Sequence, residues 1–373
     1  MTRVVLRLVT SVAMSVSIAA CALPRGAALQ SEVLAKSSSE TPELATYPVT
    51  REFLPRIASW PMTGGGSGDH WLKASGGASG QIIAPGDKID LAIWESSENG
   101  LLAGPGQRMT PLTGALVSPQ GKLFVPYLGA VKISGMSPEH AREVIQTKLE
   151  PLVPSPQVQL NATPGRQNSV DLVGGVTSPG NFPMVDRTLT VLGLISLGGG
   201  AQPGIDNPQL RLHRGGKVYR TSLQRVIDTP SMDTTLRAGD KVIVEKDQRQ
   251  FIALGATGTQ TLVPFPKEKI SALEAVSLSG GLTSTRADPG GVLVLREYAP
   301  DQVVGGDGAG VTGPGHERVV FTIDLTSADG LFSAGKFMIQ PQDLVLATES
   351  PINDARSILQ LLGLSIGISN QIN

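Results

Sequence analysis

The sequence is poor in the residues that usually carry chemistry. It holds one cysteine, four histidines and few aromatics (4%), and its formal net charge is −1. A single thiol excludes an intrachain disulfide and a multi-thiol metal site. His70, His140, His213 and His316 lie in different stretches, and no pair has metal-ligand spacing. Balanced charge leaves no electrostatic footprint for nucleic acid or an anionic membrane surface. There is no Gly-x-Ser-x-Gly elbow and no P-loop. Gly308-Ala309-Gly310-Val311-Thr312-Gly313 matches the glycine spacing of a dinucleotide site, but a low-complexity insert surrounds it instead of a strand and a helix. Arg286, Arg296 and Arg318 are candidates for holding an acidic ligand, and a solvated role is expected for each. No acid/base cluster converges, so neither catalysis nor a cofactor nor a metal is expected.

Glycine (44) and proline (27) are abundant, which suits many turns between short strands. A chain of 373 residues has room for two or three domains. The fold class expected is α+β and multidomain.

The one cysteine has an informative place. Arg3 and Arg7 precede a mostly apolar run from Leu8 to Ala20, about 13 residues long and too short to span a bilayer. Ile18-Ala19-Ala20-Cys21 then reads as a lipobox, with residues 1–20 as signal peptide and Cys21 as the acylated residue. The alternative is an ordinary signal peptide cut near Ala20. No Asp follows Cys21, so the expected destination is the outer membrane. Residues 21–80 read as a flexible tether, with Ser37-Ser38-Ser39 and Gly64-Gly65-Gly66-Ser67-Gly68 as linker chemistry. Trp60 and Trp71 interrupt it. Either they pin it onto a folded neighbour or they sit in a loop, partly exposed.

A first domain is expected over 81–163. Pro85-Gly86-Asp87 is turn chemistry, and Ile89, Leu91 and Ile93 alternate as in a half-buried strand. Pro119-Gln120-Gly121 reads as a hairpin turn. Ser137-Pro138-Glu139 starts a helix whose apolar face is Ala141, Val144, Ile145 and Leu149. Residues 168–248 and 249–349 read as two copies of one strand–loop–helix–strand unit. Their helices stop at Gly198-Gly199-Gly200 and Gly280-Gly281. Strands ending in Arg214 and Arg296 follow. Each copy ends on an echo of the opening turn, at Gly239-Asp240 and Gln342-Asp343.

Residues 350–373 read as an amphipathic helix of roughly 20 residues from Pro351, ~30 Å long. Asn353, Arg356, Ser357, Gln360, Gly363 and Gly367 share its polar arc; Ile352, Ala355, Ile358, Leu359, Leu362 and Ile366 lie opposite. It either enters a membrane assembly or docks on the preceding domain.

These stretches resemble the outer-membrane polysaccharide export lipoproteins, which secrete capsule and exopolysaccharide. Pro85 to Trp94, Val117 to Gly129 and the helix start at Ser137 are similar to that family's polysaccharide-export domain. Gly174-Gly175-Val176 with Pro179-Gly180, and Leu197 to Gly200, resemble its soluble-ligand-binding β-grasp (SLBB) modules. In the second copy Thr259-Gln260-Thr261 replaces the Pro-Gly. The resemblance implies a homo-oligomeric ring, eight subunits in the best-known arrangement. Most of each subunit would be periplasmic, and a barrel of C-terminal helices would cross the outer membrane in contact with its lipid, the polar arc lining the pore. It implies polysaccharide as the transported substrate and an inner-membrane copolymerase or ABC-type exporter as partner. The other readings are a monomeric lipoprotein that binds glycan and, less in keeping with the sequence, an enzyme with an unrecognised site.

Overall fold

The structure is a computed structural model, and it describes residues 26–35, 43–64, 71–74, 76, 80–96 and 106–352. The leader with Cys21 lies outside the described residues, and so does the tail from Asn353, with every residue assigned to the polar arc. Among the described residues no helix is long and apolar enough to cross a membrane. The chain divides into two compact units. One is residues 66–247; the other joins the N-terminal segment to the chain from Gln248 onward.

In the N-terminal segment come α1 (Gln30–Leu34), β1 (Ala45–Pro48) and α2 (Leu54–Ile57). The first domain then contributes β2 (Lys88–Trp94), β3 (Met109–Leu116), β4 (Lys122–Val125), β5 (Gly129–Lys132), α3 (Pro138–Leu149) and β6 (Gln157–Thr163). β2 is the centre of a three-stranded antiparallel sheet, between β3 and β6. Ile89, Leu91 and Ile93 face inward with at most 2% exposure, each worth roughly 1.5–3 kcal/mol of burial. The Ser137 hydroxyl accepts from the His140 N–H at 3.2 Å and so caps α3, whose Ala141, Ile145 and Leu149 pack onto the same core. Pro119-Gln120-Gly121 makes the expected tight turn, with the Gly121 N–H donating to Ser118 O at 2.7 Å and the Ser118 N–H to Lys122 O at 2.9 Å, but the reversal is not continued as a ladder between β3 and β4. β3 pairs with β2 and β4 pairs with β5, so the turn carries the chain from one sheet to the next. A turn motif fixes a reversal of direction; the partners of its flanking strands depend on which core each strand fills.

Within the same unit, the first module holds β7 (Ser169–Gly174), β8 (Gly180–Pro183), α4 (Val191–Leu197), β9 (Gln209–Arg214), β10 (Lys217–Ser222), α5 (Leu223–Asp228) and β11 (Lys241–Glu245). In the other unit, the second module holds β12 (Gln250–Gly255), β13 (Thr261–Pro264), β14 (Ile270–Ser271), α6 (Ala272–Leu278), β15 (Ala287–Glu297), β16 (Arg318–Ile323), α7 (Ala328–Ala334), β17 (Met338–Ile339) and β18 (Leu344–Glu349). The first sheet runs β10-β9-β11-β7-β8 and the second runs β1-β16-β15-β18-β12-β13. The five shared positions correspond one to one. In both, the last strand lies parallel to the first and antiparallel to the strand that carries Arg214 or Arg296.

The extra strand, β1, corrects the tether. Ala45 to Pro48 pair in parallel with Val319 to Thr322, so residues 43–64 belong to the second module. Tyr47, Phe53 and Trp60 pack on one another, and Tyr47 reaches Phe321 while Trp60 reaches Tyr298 and Phe321, with ring centroids 5.1–6.4 Å apart. Trp71 does the equivalent for the first module, where its indole N–H donates to the Met232 carbonyl at 2.6 Å. Serine and glycine runs signalled flexibility, but four apolar anchors between them outweigh the composition.

One backbone device recurs. Gly174 and Gly255 end the first strand of each module at φ +81° and +88°. The next residue in each case donates its N–H to the parallel partner strand, Gly175 to Val244 O and Ala256 to Ala347 O, both at 2.8 Å. A Cβ on Gly174 would stand 2.5 Å from the Val244 carbonyl, and one on Gly255 would clash with Ala347 O. Gly255→Ala is therefore expected to cost at least about 1–3 kcal/mol, read as a drop in the urea midpoint of the second module. An unchanged midpoint would show that the strand end relaxes freely.

Candidate functional site

The opening turn and its two echoes form one construction. The residue before each aspartate is left-handed: Gly86 at φ +85°, Gly239 at +82° and Gln342 at +70°. Each carboxylate is buried and accepts the backbone N–H three residues earlier. The distances are 2.8 Å from Ala84 to Asp87, 2.7 Å from Arg237 to Asp240 and 2.8 Å from Gln340 to Asp343. The aspartate closes the turn and fixes where the next strand begins.

The partners of the three carboxylates differ. Asp87 takes the Gly165 N–H at 2.7 Å and the Asn168 amide at 3.3 Å. Asp240 takes Arg214, through Nε at 2.9 Å and through Nη2. Asp343 takes Arg296, through Nε at 2.8 Å and Nη2 at 2.7 Å. Arg296 is 3% exposed and lies over the rings of Phe321 and Phe337 at 5.1 and 5.3 Å. This corrects the solvated role expected for it. Burial works against its charge, and the Asp343 carboxylate outweighs that, so its pKa lies above the ordinary guanidinium value. Burial pushes the neighbouring Tyr298 hydroxyl up. Arg286 pairs with Glu349 at 2.6 Å and Arg318 with Glu297 at 3.3 Å. The signal for both buried pairs is in the sequence: two equivalent strands, Gln209–Arg214 and Ala287–Glu297, carry an Arg at the equivalent place.

Beside the first two turns is a trough of about 570 Å³. It is lined by Gly76, Gln81, Ile82 and Ala84 on one side and by Met184, Asp186, Arg187 and Thr235 to Ala238 from the first module on the other, with Asn168 between them. Ile82, Met184 and Leu236 give it an apolar floor. Arg187 and Arg237 are exposed at its edge, and neither side chain has an ion pair or hydrogen bond among the described residues. Its carboxylate, Asp186, accepts from the Thr188 hydroxyl at 2.6 Å and the Thr188 N–H at 2.8 Å, which holds its pKa below the usual carboxylate range. Among the described residues no group of three His, Cys, Asp or Glu is placed to hold a metal. The Gly308 to Gly313 stretch lies between β15 and β16 and packs on Tyr47, whose hydroxyl accepts the Gly315 N–H at 3.3 Å.

Residues 76–163 match the family described as polysaccharide biosynthesis/export protein. The match spans the first Asp turn and the whole three-stranded sheet. The chain is also similar to individual capsule and exopolysaccharide export proteins. That similarity extends well beyond the export domain. The chain is 26% identical over 308 residues to the capsule polysaccharide export protein BexD of Haemophilus influenzae, covering 78% of this chain and 76% of that one. It is 25% identical over 304 residues to the capsule polysaccharide export outer membrane protein CtrA of Neisseria meningitidis, covering 77% and 76%. It is 26% identical over 301 residues to the EPS I polysaccharide export outer membrane protein EpsA of Ralstonia nicotianae, covering 75% and 74%.

Proposed function

We propose that this protein is an outer-membrane channel subunit that moves capsular or extracellular polysaccharide from the periplasm to the cell surface. The observation that carries the reading is the extent of the similarity: about three quarters of the chain aligns with about three quarters of several export proteins. Conduction needs no catalysis, which agrees with a sequence without an acid/base cluster. In the finer reading Cys21 is acylated and anchors the chain to the outer membrane. The two β-sheet modules, read as soluble-ligand-binding β-grasp units, stack into a homo-oligomeric ring. The C-terminal helix crosses the outer membrane as part of a closed barrel, the arrangement that leaves no backbone group unpaired in lipid. An inner-membrane copolymerase or ABC-type exporter supplies the polymer.

The decisive test is a deletion strain complemented with the full chain. Surface polysaccharide is expected to disappear on deletion and return on complementation; unchanged surface polymer in the deletion strain would refute the export role. Asn353, Arg356, Ser357, Gln360, Gly363 and Gly367 are assigned to the pore by helical phase. Replacing Gln360 and Gly363 with Leu is expected to abolish export while leaving the periplasmic modules folded by circular dichroism. Normal surface polymer in that double variant would rule out the phase. Detergent-extracted particles imaged by electron microscopy are expected to be closed rings; a monomer would favour the glycan-binding lipoprotein.

A further inference from the structure

We propose that the trough between the export domain and the first module is a binding site for an acidic glycan segment, one that carries carboxylates on its sugars. The inference rests on the export reading and adds to it a place on the chain where the polymer is held and a chemical class for the polymer.

The trough has the size and position of a ligand site. Its volume of about 570 Å³ lies within the 300–1,000 Å³ typical of such sites, and it sits at the junction of two folded elements. Its walls are fixed before any ligand arrives. The wall at Ala84 is tied to Asp87, and the wall at Arg237 is tied to Asp240. Each tie is a buried carboxylate on a backbone N–H, so neither rim has to reorganise on binding.

The polar inventory suits a sugar. The Gln81 side-chain amide donates to Ala162 O at 3.0 Å. The Asn168 amide donates to Ile82 O and to Asp87, each at 3.3 Å. The Asn168 NH₂ is thereby committed to protein acceptors, the Gln81 NH₂ keeps one free N–H, and the two amide oxygens remain as acceptors for sugar hydroxyls. Ile82, Met184 and Leu236 offer an apolar floor to the C–H face of a pyranose ring. The charge then selects an acid. Arg187 and Arg237 supply two guanidiniums with no partner among the described residues. The Asp186 carboxylate is already engaged by Thr188. The excess of positive charge and the planar geometry of guanidinium favour carboxylates, which it can bind bidentately.

The test uses the full chain in detergent and isothermal titration with three probes. Two are acidic: tetragalacturonate and a tetrasaccharide alternating glucuronate with N-acetylglucosamine. The third is neutral chitotetraose. Both acidic probes are expected to bind at least tenfold more tightly than chitotetraose at low salt, and to weaken as salt is added. Arg187→Gln with Arg237→Gln is expected to lose at least tenfold for the acidic probes and little for the neutral one. Both arginines are exposed, so the melting temperature should not move. Asp186→Asn keeps the acceptor for Thr188 and removes a negative charge, so it is expected to tighten acidic binding. Equal affinity for acidic and neutral probes, or an arginine double variant that binds like wild type, would overturn the assignment. The same protein complements the deletion strain in parallel. Restored surface polymer without acidic binding sinks the trough and leaves the export reading; failure to restore polymer sinks the export reading itself.

Discussion

Arg296→Met is expected to destabilise the second module by about 3–5 kcal/mol, because it strands a buried charge. Asp343 is 1% exposed, and its main counter-charge is Arg296. Without the guanidinium the carboxylate has only the Gln340 N–H, and water cannot reach it. The cost should be local. Amide hydrogen exchange of β15 and β18 should accelerate by about two to four orders of magnitude, while β2 and β6 in the other unit keep their protection. The double variant Arg296→Met with Asp343→Asn keeps an acceptor for Gln340 and removes the charge. It is expected to be more stable than Arg296→Met alone, a non-additivity of the kind expected for residues in contact. If the two variants are equally unstable, the damage comes from lost packing on Phe321 and Phe337 and not from the orphaned charge. The same change at Arg214 should cost less, since Arg214 is 14% exposed and water can reach part of the pair.

Trp60→Ala should have the second largest effect, about 3–5 kcal/mol from a cavity at the centre of the aromatic cluster. Trp60 is 4% exposed and its ring lies 5.1–6.1 Å from those of Tyr47, Phe53, Tyr298 and Phe321. Its removal takes away the packing that holds β1 against β16. Protease cleavage between residues 43 and 64 should therefore appear in the variant and be absent from wild type. Trp60→Phe should recover much of the loss. The indole N–H of Trp60 is buried with no partner among the described residues, so exchanging it for a ring without that donor removes little polar interaction. A wild-type cleavage pattern in Trp60→Ala would mean that β1 is held by its backbone ladder alone.

Several elements were legible because one local pattern decided each. The alternation Ile89, Leu91, Ile93 placed β2. Ser137, Pro138 and the face from Ala141 to Leu149 placed α3. The three Asp turns were visible as a repeat, and the structure gives that repeat one hydrogen-bond pattern at Ala84, Arg237 and Gln340. Other elements were hidden. α5 and α7 are six and seven residues long and lack the Gly-Gly stop that marked the equally short α4 and α6. β1 is a four-residue strand inside a segment whose composition signals a linker.

By itself the sequence determined the repeat and the strand starts, because each rests on residues close together along the chain. A left-handed turn residue followed by Asp reports its own conformation wherever it occurs. The partner of each aspartate was decided only in three dimensions. Asp87, Asp240 and Asp343 look alike in sequence, yet one is held by a glycine N–H and an asparagine and two by arginines 26 and 47 residues away. The same holds for the trough. Arg187 and Arg237 are 50 residues apart in the chain, and only the fold of the first module, which bridges Thr190 to Thr235, sets them beside one volume. Local geometry is written in neighbouring residues; a buried charge pair or a ligand trough is a sum over distant ones, and the fold performs that sum.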